Sequence, residues 1–304
     1  MVEVGASPDW LAGGGEMGAL IRAMDWSRTP LGPVERWPQS LRTTVSLCLS
    51  STFPILIAWG PERVQLYNDA YRPICGEKHP QSMGQPFNEC WASALEAVGA
   101  IVDRAQSGTG SYLENLRMFL DRYGYLEEAF MTFSFSPIRD ESGRVGGLFH
   151  PITEVTEKML SARRTQALRE LSTSLGDAKS LADIAARLQA MQPQLQLDAP
   201  FVQCYELASG QRLAGSLDRE LESWPRAAEL SVQIPCGPYP EPVRQAVVLP
   251  LQPPGTTAPV LLLVAGVSAR RELDASYRAF YDQLASTVTT ALANVLAYEQ
   301  EQQR

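Results

Sequence analysis

The sequence has no apolar run approaching the roughly 20 residues that cross a bilayer, and its N-terminal residues lack the basic and apolar segments of a signal peptide. A cytoplasmic chain with no membrane partner is the expectation. An excess of positive charge is lacking as well: 26 Lys and Arg stand against 34 Asp and Glu, a net charge of −8 with a pI near 5.0. No global field therefore draws in nucleic acid or anionic lipid. The pairs Arg163–Arg164 and Arg270–Arg271 are short and read as solvated helix faces and loop ends. Five cysteines (Cys48, Cys75, Cys90, Cys204, Cys236) are odd in number, widely spread and form no CxxC pair. That argues against a disulfide framework or zinc site and fits a reducing compartment. A glycine-rich phosphate loop ending in Lys-Ser or Lys-Thr is absent. No acid/base pair or nucleophile arrangement is visible, so catalysis within this chain has no motif behind it.

What is present fits two domains, since 304 residues exceed the roughly 100 to 200 of one domain. Residues 1–15 end in three glycines and read as a flexible tail. Met17, Leu20, Ile21 and Met24 recur at helical spacing, as do Trp37, Leu41, Val45 and Leu49, which predicts helices over 16–26 and 34–49. Strands are expected over 54–60 and 64–67, short helical pieces over 68–83, and one helix over 87–106 with Trp91, Leu95, Val98, Ile101 and Val102 as its stripe. Three strands come next, over 111–120, 125–136 and 144–151. In the middle one Ala129, Met131, Phe133 and Phe135 alternate with polar neighbours, and Asp140–Gly143 supplies the hairpin turn. This order gives a five-stranded antiparallel sheet with its helices grouped together, an α+β domain over 16–153.

A charged helix over 153–175 connects to the second half. There Ser180 caps a helix reaching Met191, strands are expected over 201–207, 212–216, 246–251 and 260–267, and Pro235–Pro242 is an irregular loop. A last helix from Asp274 carries Tyr277, Phe280, Leu284, Val288, Ala291, Val295 and Tyr298. Their near-heptad spacing would let it pair with a second copy, while its first half packs on its own sheet.

Leu66–Pro80, Phe119–Glu128, Phe133–Asp140 and Glu154-Val-Thr-Glu157 resemble the PAS sensor domains of bacterial sensor histidine kinases, including hybrid ones. Met17–Trp26, Thr29–Gly32 and Trp37–Arg42 are similar to the leader that precedes this PAS type. Val248–Leu251, Val264–Ser268, Tyr277–Phe280 and Ala293-Asn294 resemble the GAF domain found after it. The resemblance implies a PAS domain over 16–153, a connecting helix over 154–176 and a GAF domain over 177–304 with a C-terminal output helix. It also implies a homodimer that senses a small molecule and regulates a downstream kinase domain in two-component signalling. Glu154, Thr156 and Glu157 match the family's pattern at the PAS exit, with Glu154 in place of the usual Asp. In the family this polar pair ties the last strand to the signalling helix; otherwise these residues cap a helix.

The kinase itself is not in this chain. Only His79 and His150 occur, each with proline next in the chain and neither in a phosphoacceptor context, so the resemblance puts the catalytic part after Arg304. His150 reads either as a haem ligand or as a structural strand histidine. Cys90 lacks the context of a flavin-reactive thiol, and no Cys-His pair marks a bilin site, so no haem, flavin or bilin signature is present and the cofactor is left open. Tyr67, Asn68, Trp91, Phe133 and Phe135 are the expected lining of an apolar ligand pocket, with a closed aromatic core as the alternative. If neither domain binds a ligand, the module is a dimerising scaffold.

Overall fold

The computed structural model describes residues 9–215, 217 and 228–302. The expected tail at 1–8, Ser216 at the end of an expected strand and residues 303–304 of the last helix lie outside the described residues. The chain divides into two compact units, Met1–Met159 and Leu160–Arg304. No helix among the described residues is long and apolar enough to cross a membrane.

In the first domain α1 (Gly15–Ala23) and α2 (Gln39–Ser50) precede β1 (Ile55–Trp59) and β2 (Val64–Tyr67). Two single-turn helices, α3 (Arg72–Cys75) and α4 (Phe87–Cys90), and the longer α5 (Leu95–Gln106) come next. After them are β3 (Ser111–Leu120), β4 (Glu127–Arg139) and β5 (Val145–Glu154). The sheet is antiparallel with order β2-β1-β5-β4-β3. All five residues of β1 are buried, so both faces of the sheet are covered there. The β4–β5 turn closes because Gly143 takes φ +81° and Asp140 Oδ1 accepts from the Ser142 and Arg144 amides at 2.8 and 3.2 Å.

Three expectations from the sequence change here. Residues 9–15 are not a free tail: Asp9–Leu11 form a 3-10 turn, Leu11 is 1% exposed, and Arg22 Nη1 donates to the Leu11 and Gly13 carbonyls at 2.7 Å each. A buried leucine and a guanidinium clamp outweigh the freedom of three glycines. The helix expected from Val34 starts only at Gln39, since Pro38 holds the chain extended at its cap (ψ 155°). The helix expected over 87–106 is broken at Trp91, whose φ of −111° and ψ of 33° leave the helical region and swing its indole into the core.

In the second domain α6 (Thr156–Leu175), which begins in the last residues of the first unit, leads to α7 (Leu181–Ala190) and the short α8 (Gln192–Leu195). The strands are β6 (Val202–Glu206), β7 (Arg212–Ala214), β8 (Glu229–Ile234), β9 (Val243–Leu251) and β10 (Leu261–Gly266), and α9 (Ala275–Gln302) ends the fold. Their order is β7-β6-β10-β9-β8, antiparallel throughout. Ser180 Oγ accepts from the Asp183 amide and caps α7. β8 is a strand absent from the sequence expectations, although Leu230, Val232 and Ile234 alternate with Glu229, Ser231 and Gln233. One face of this sheet packs with Leu171, Leu188, Leu284 and Val288 of α6, α7 and α9; Phe201, Tyr205, Val248 and Val264 form a separate cluster.

Neither basic pair is a simple solvated feature. Arg164 is 5% exposed, and both Arg163 and Arg164 bind the buried Asp198 carboxylate, through Nε contacts of 2.7 and 2.9 Å. The Arg164 guanidinium also lies 4.0 Å over the Tyr277 ring, and Tyr277 and Tyr281 donate their hydroxyls to the Asp198 carbonyl. Arg270 pairs with Glu241 at 3.0 Å. The near-heptad seam of α9 is used within the chain: Tyr277, Phe280, Leu284, Val288 and Val295 are buried in its own core, and Tyr298 is 42% exposed.

Candidate functional site

The sheet of the first domain places Met131, Phe133 and Phe135 of β4 beside His150 and Ile152 of β5, with Met118 and Leu120 of β3 completing the wall. Opposite stand Ile74 of α3, Phe87 of α4, Trp91 and Ala94 at the 3-10 turn before α5, and Val98 of α5. Between them is a cavity of about 30 Å3. One water needs about 10–15 Å3, so in this conformation the space admits a molecule of one or two heavy atoms. A ligand of ordinary cofactor size requires the wall to repack.

His150 shares this wall with two other side chains that carry a polar atom, Trp91 and Tyr71, and its surroundings fix its state. Its ring stacks on Phe135 with centroids 3.9 Å apart and meets Phe133 edge-on at 5.4 Å. Nδ1–H donates to the Ser134 carbonyl at 2.9 Å. Burial lowers its pKa to about 4, against which the Ser134 bond works only in part. The ring is therefore neutral at pH 7, and with the proton on Nδ1 the lone pair lies on Nε2. The second polar group is the Trp91 indole. Trp91 is 3% exposed, and its Nε1–H is buried without a hydrogen-bond partner. Such a donor costs about 1–3 kcal/mol.

Of the five residues expected to line a pocket, Trp91, Phe133 and Phe135 come together at the cavity, and Tyr67 and Asn68 do not. Asn68 is a buried bracket. Its Oδ1 accepts from the Ile55 and Tyr71 amides, and its Nδ2 donates to the carbonyls of Cys48, Ser51 and Phe53, all within 3.1 Å. With every donor and acceptor engaged, it fixes the entry to β1 and has nothing left for a ligand. Tyr67 turns its hydroxyl to Ser82 Oγ and His79 Nδ1, at 2.7 and 2.8 Å. Burial lowers the His79 pKa, with Arg72 adding to the effect. Met118, Met131, Ile152 and His150 line the cavity without having been expected there. The period-two pattern already placed Met131 with Phe133 and Phe135, while the β5 residues needed the register.

The cavity face ends in an ionic cluster around a buried arginine. Two residues beyond Leu120 lies Arg122, 4% exposed. Its Nη1 and Nη2 donate to the two oxygens of Glu154 at 2.8 and 2.6 Å, and its Nε to Glu127 at 2.9 Å. Burial works against the Arg122 charge, and the Glu154 and Glu127 carboxylates more than offset it, so its pKa is raised. Thr156 Oγ1 donates to Glu154 Oε1 at 2.9 Å and accepts from the Phe130 amide at 3.0 Å, while the Val155 amide donates to the Phe130 carbonyl at 2.8 Å. The side chains of 154 and 156 thus stitch the end of β5 and the start of α6 to β4, a different task from capping the helix amides. Glu157 lies exposed in the first turn of α6, where a carboxylate favours the helix N-terminus. Arg122 and Glu127 were inside a motif run already singled out, but their meeting with Glu154 depends on the strand pairing.

The cysteines offer no reactive thiol in this state. Cys48, Cys75 and Cys204 are buried and burial pushes each up to about 12; burial also raises Cys90 and Cys236. Among the described residues no group of three or more His, Cys, Asp or Glu is placed to hold a metal ion.

No family model matches the chain, and no curated protein matches it. Among solved structures, it is similar to the GAF domain assigned to a sensor histidine kinase from Pseudomonas syringae pv. tomato, with 17% identity and a TM-score of 0.33. That likeness covers 47% of this chain and 94% of the other. A likeness of this size establishes neither family nor function for this chain.

Proposed function

We propose that this chain is a sensory module of two-component signalling, with a PAS domain first and a GAF domain second, which regulates a histidine kinase placed downstream. The observation that carries this reading is the continuity of one sheet face. On β5, His150 and Ile152 lead to Glu154 in steps of two, and Arg122 lies in the turn that follows Met118 and Leu120 of β3. Residues at that spacing share a face of a strand. A change in the cavity wall therefore reaches the ionic cluster along β5 and through the turn after β3, and the cluster holds the first residues of α6.

The mechanism is a shift between two arrangements of α6. A ligand moves that equilibrium only by its difference in affinity for the two. Arg122 stays charged, Glu154 holds it in a bidentate grip, and Thr156 passes the position of Glu154 to the Phe130 amide. A wall that expands around a ligand displaces β5 and loosens or tightens this grip. The test joins a histidine kinase core to the C-terminal helix and measures autophosphorylation. Ala94→Leu, which fills the cavity, and Thr156→Val, which breaks the stitch, are expected to change the output. An output indifferent to both would sink the sensing reading.

The small cavity favours a second reading, in which the core is closed and the module serves as a scaffold for a homodimer. Native mass at micromolar concentration tests it: a strictly monomeric protein contradicts the scaffold.

A further inference from the structure

We infer that the ligand read by the first domain is a neutral, mainly apolar small molecule carrying a single hydrogen-bond acceptor, an aldehyde, ketone or alcohol, which the Trp91 indole N–H binds. This rests on the cavity being the sensing site and adds the class of molecule.

Three observations lead there. The wall holds no charged side chain: Tyr71, Ile74, Phe87, Ala94, Val98, Leu120 and the rest of the lining are apolar or aromatic, with His150 the titratable exception besides the Tyr71 phenol. An anion or cation would lose its water with nothing opposite in charge to receive it. The nearby cations are engaged: Arg122 by Glu127 and Glu154, and Lys78, 5.8 Å over the Trp91 ring, by Asp121. Second, Trp91 lines this wall, and its Nε1–H is buried without a partner just behind the space the cavity now offers. Unpaired buried donors are rare, and a ligand acceptor is the partner it lacks. Third, the wall can grow. Met118 and Met131 are buried on adjacent strands, and unbranched thioether side chains repack more readily than branched ones. His150 contributes the opposite character: with Nδ1 committed to Ser134, Nε2 accepts, so a hydroxyl finds an acceptor on the same wall.

The test uses three probes built on one ring and differing in polarity: benzene, benzaldehyde and benzoate. Binding is measured by calorimetry on the whole chain and on Met131→Ala, which enlarges the cavity, and the indole N–H signals of 15N-labelled protein are recorded. The Trp91 signal is assigned by its loss in Trp91→Phe. Benzaldehyde is expected to bind about tenfold more tightly than benzene, the yield of one neutral hydrogen bond, and to move the Trp91 signal downfield. Trp91→Phe should erase that advantage and leave benzene unchanged. Equal affinity for benzene and benzaldehyde, with the Trp91 signal unmoved, would overturn the ligand class while the cavity remains a binding site. Benzoate binding as well as benzaldehyde would overturn neutrality. Binding of none of the three, even by a folded Met131→Ala protein, would overturn the ligand class and the sensing reading together.

Discussion

The two sheets of this chain share a strand order. Numbered from their own first strands, both run 2-1-5-4-3 and both are antiparallel. They differ in what covers them. In the first domain the face carrying Phe133, Phe135 and His150 meets single-turn helices and a helix whose start is broken at Trp91. In the second, α7 and α9, of 10 and 28 residues, pack on the sheet, and α6 adds Leu168, Leu171 and Leu175 to the same apolar cluster. Short, broken helices leave gaps against a sheet that a continuous apolar stripe would cover. A cavity with an unpaired indole thus arises where helix regularity was lost, not from a different sheet.

Each domain also holds an ion cluster around a buried arginine–carboxylate pair, Arg122–Glu127 and Arg164–Asp198, and these give the largest test of the comparison. Asp198→Ala leaves Arg163 and Arg164 without their shared carboxylate, and Arg122→Ala leaves Glu127 and Glu154 facing each other. Removing one partner of a buried pair costs about 3–5 kcal/mol. Hydrogen exchange should report lost protection chiefly over 160–302 for Asp198→Ala and chiefly over 9–159 for Arg122→Ala. Equal loss in both domains from either substitution would show that the two fold as one cooperative unit.

The next effect belongs to the first domain alone. The folded His150 pKa of about 4 lies below the ordinary histidine value of 6.5. Between these values the unfolded chain binds a proton that the folded chain does not, so stability rises with pH across this window and is lost as pH falls from 6.5 toward 4. The shift corresponds to about 3 kcal/mol. His150→Phe should flatten the slope of first-domain stability over that range in denaturant titrations at several pH values. An unchanged slope would show that His150 does not carry it.

The smallest contrast sets two hydroxyls against each other. Thr156→Val removes the acceptor of the Phe130 amide at the strand–helix junction, and Ser180→Ala removes the α7 cap. Each should cost about 1 kcal/mol. In the fused kinase only Thr156→Val should alter output, since Ser180 stands outside the cavity-to-α6 connection. An equal change in output from both would reduce the Thr156 effect to general stability.

Much of this was written in local pattern. Alternation along 129–135 marked β4 and one side of the cavity, because side chains of a strand project with period two whatever their partner. The Asp140–Gly143 turn and the Ser180 cap were legible for the same reason: their bonds close within four residues. β8 carries an equally clear alternation, obscured by the proline-rich loop beside it. The motif Glu154-Val-Thr-Glu marked the junction, although not its counterions.

The amino-acid order by itself determined two α+β halves, a hairpin entering a long helix, and a chain without a membrane-spanning helix, since all of these depend on spacing between near neighbours and on composition. Tertiary structure alone decided that Asn68 is a bracket and that the Trp91 indole N–H has no partner, that Arg122 holds Glu154 across 32 residues of sequence, and that the apolar seam of α9 is consumed at home. Side chains distant in sequence become neighbours only through strand register and helix breaks. Whether a polar atom is satisfied, charged or left without a partner is a property of those neighbours.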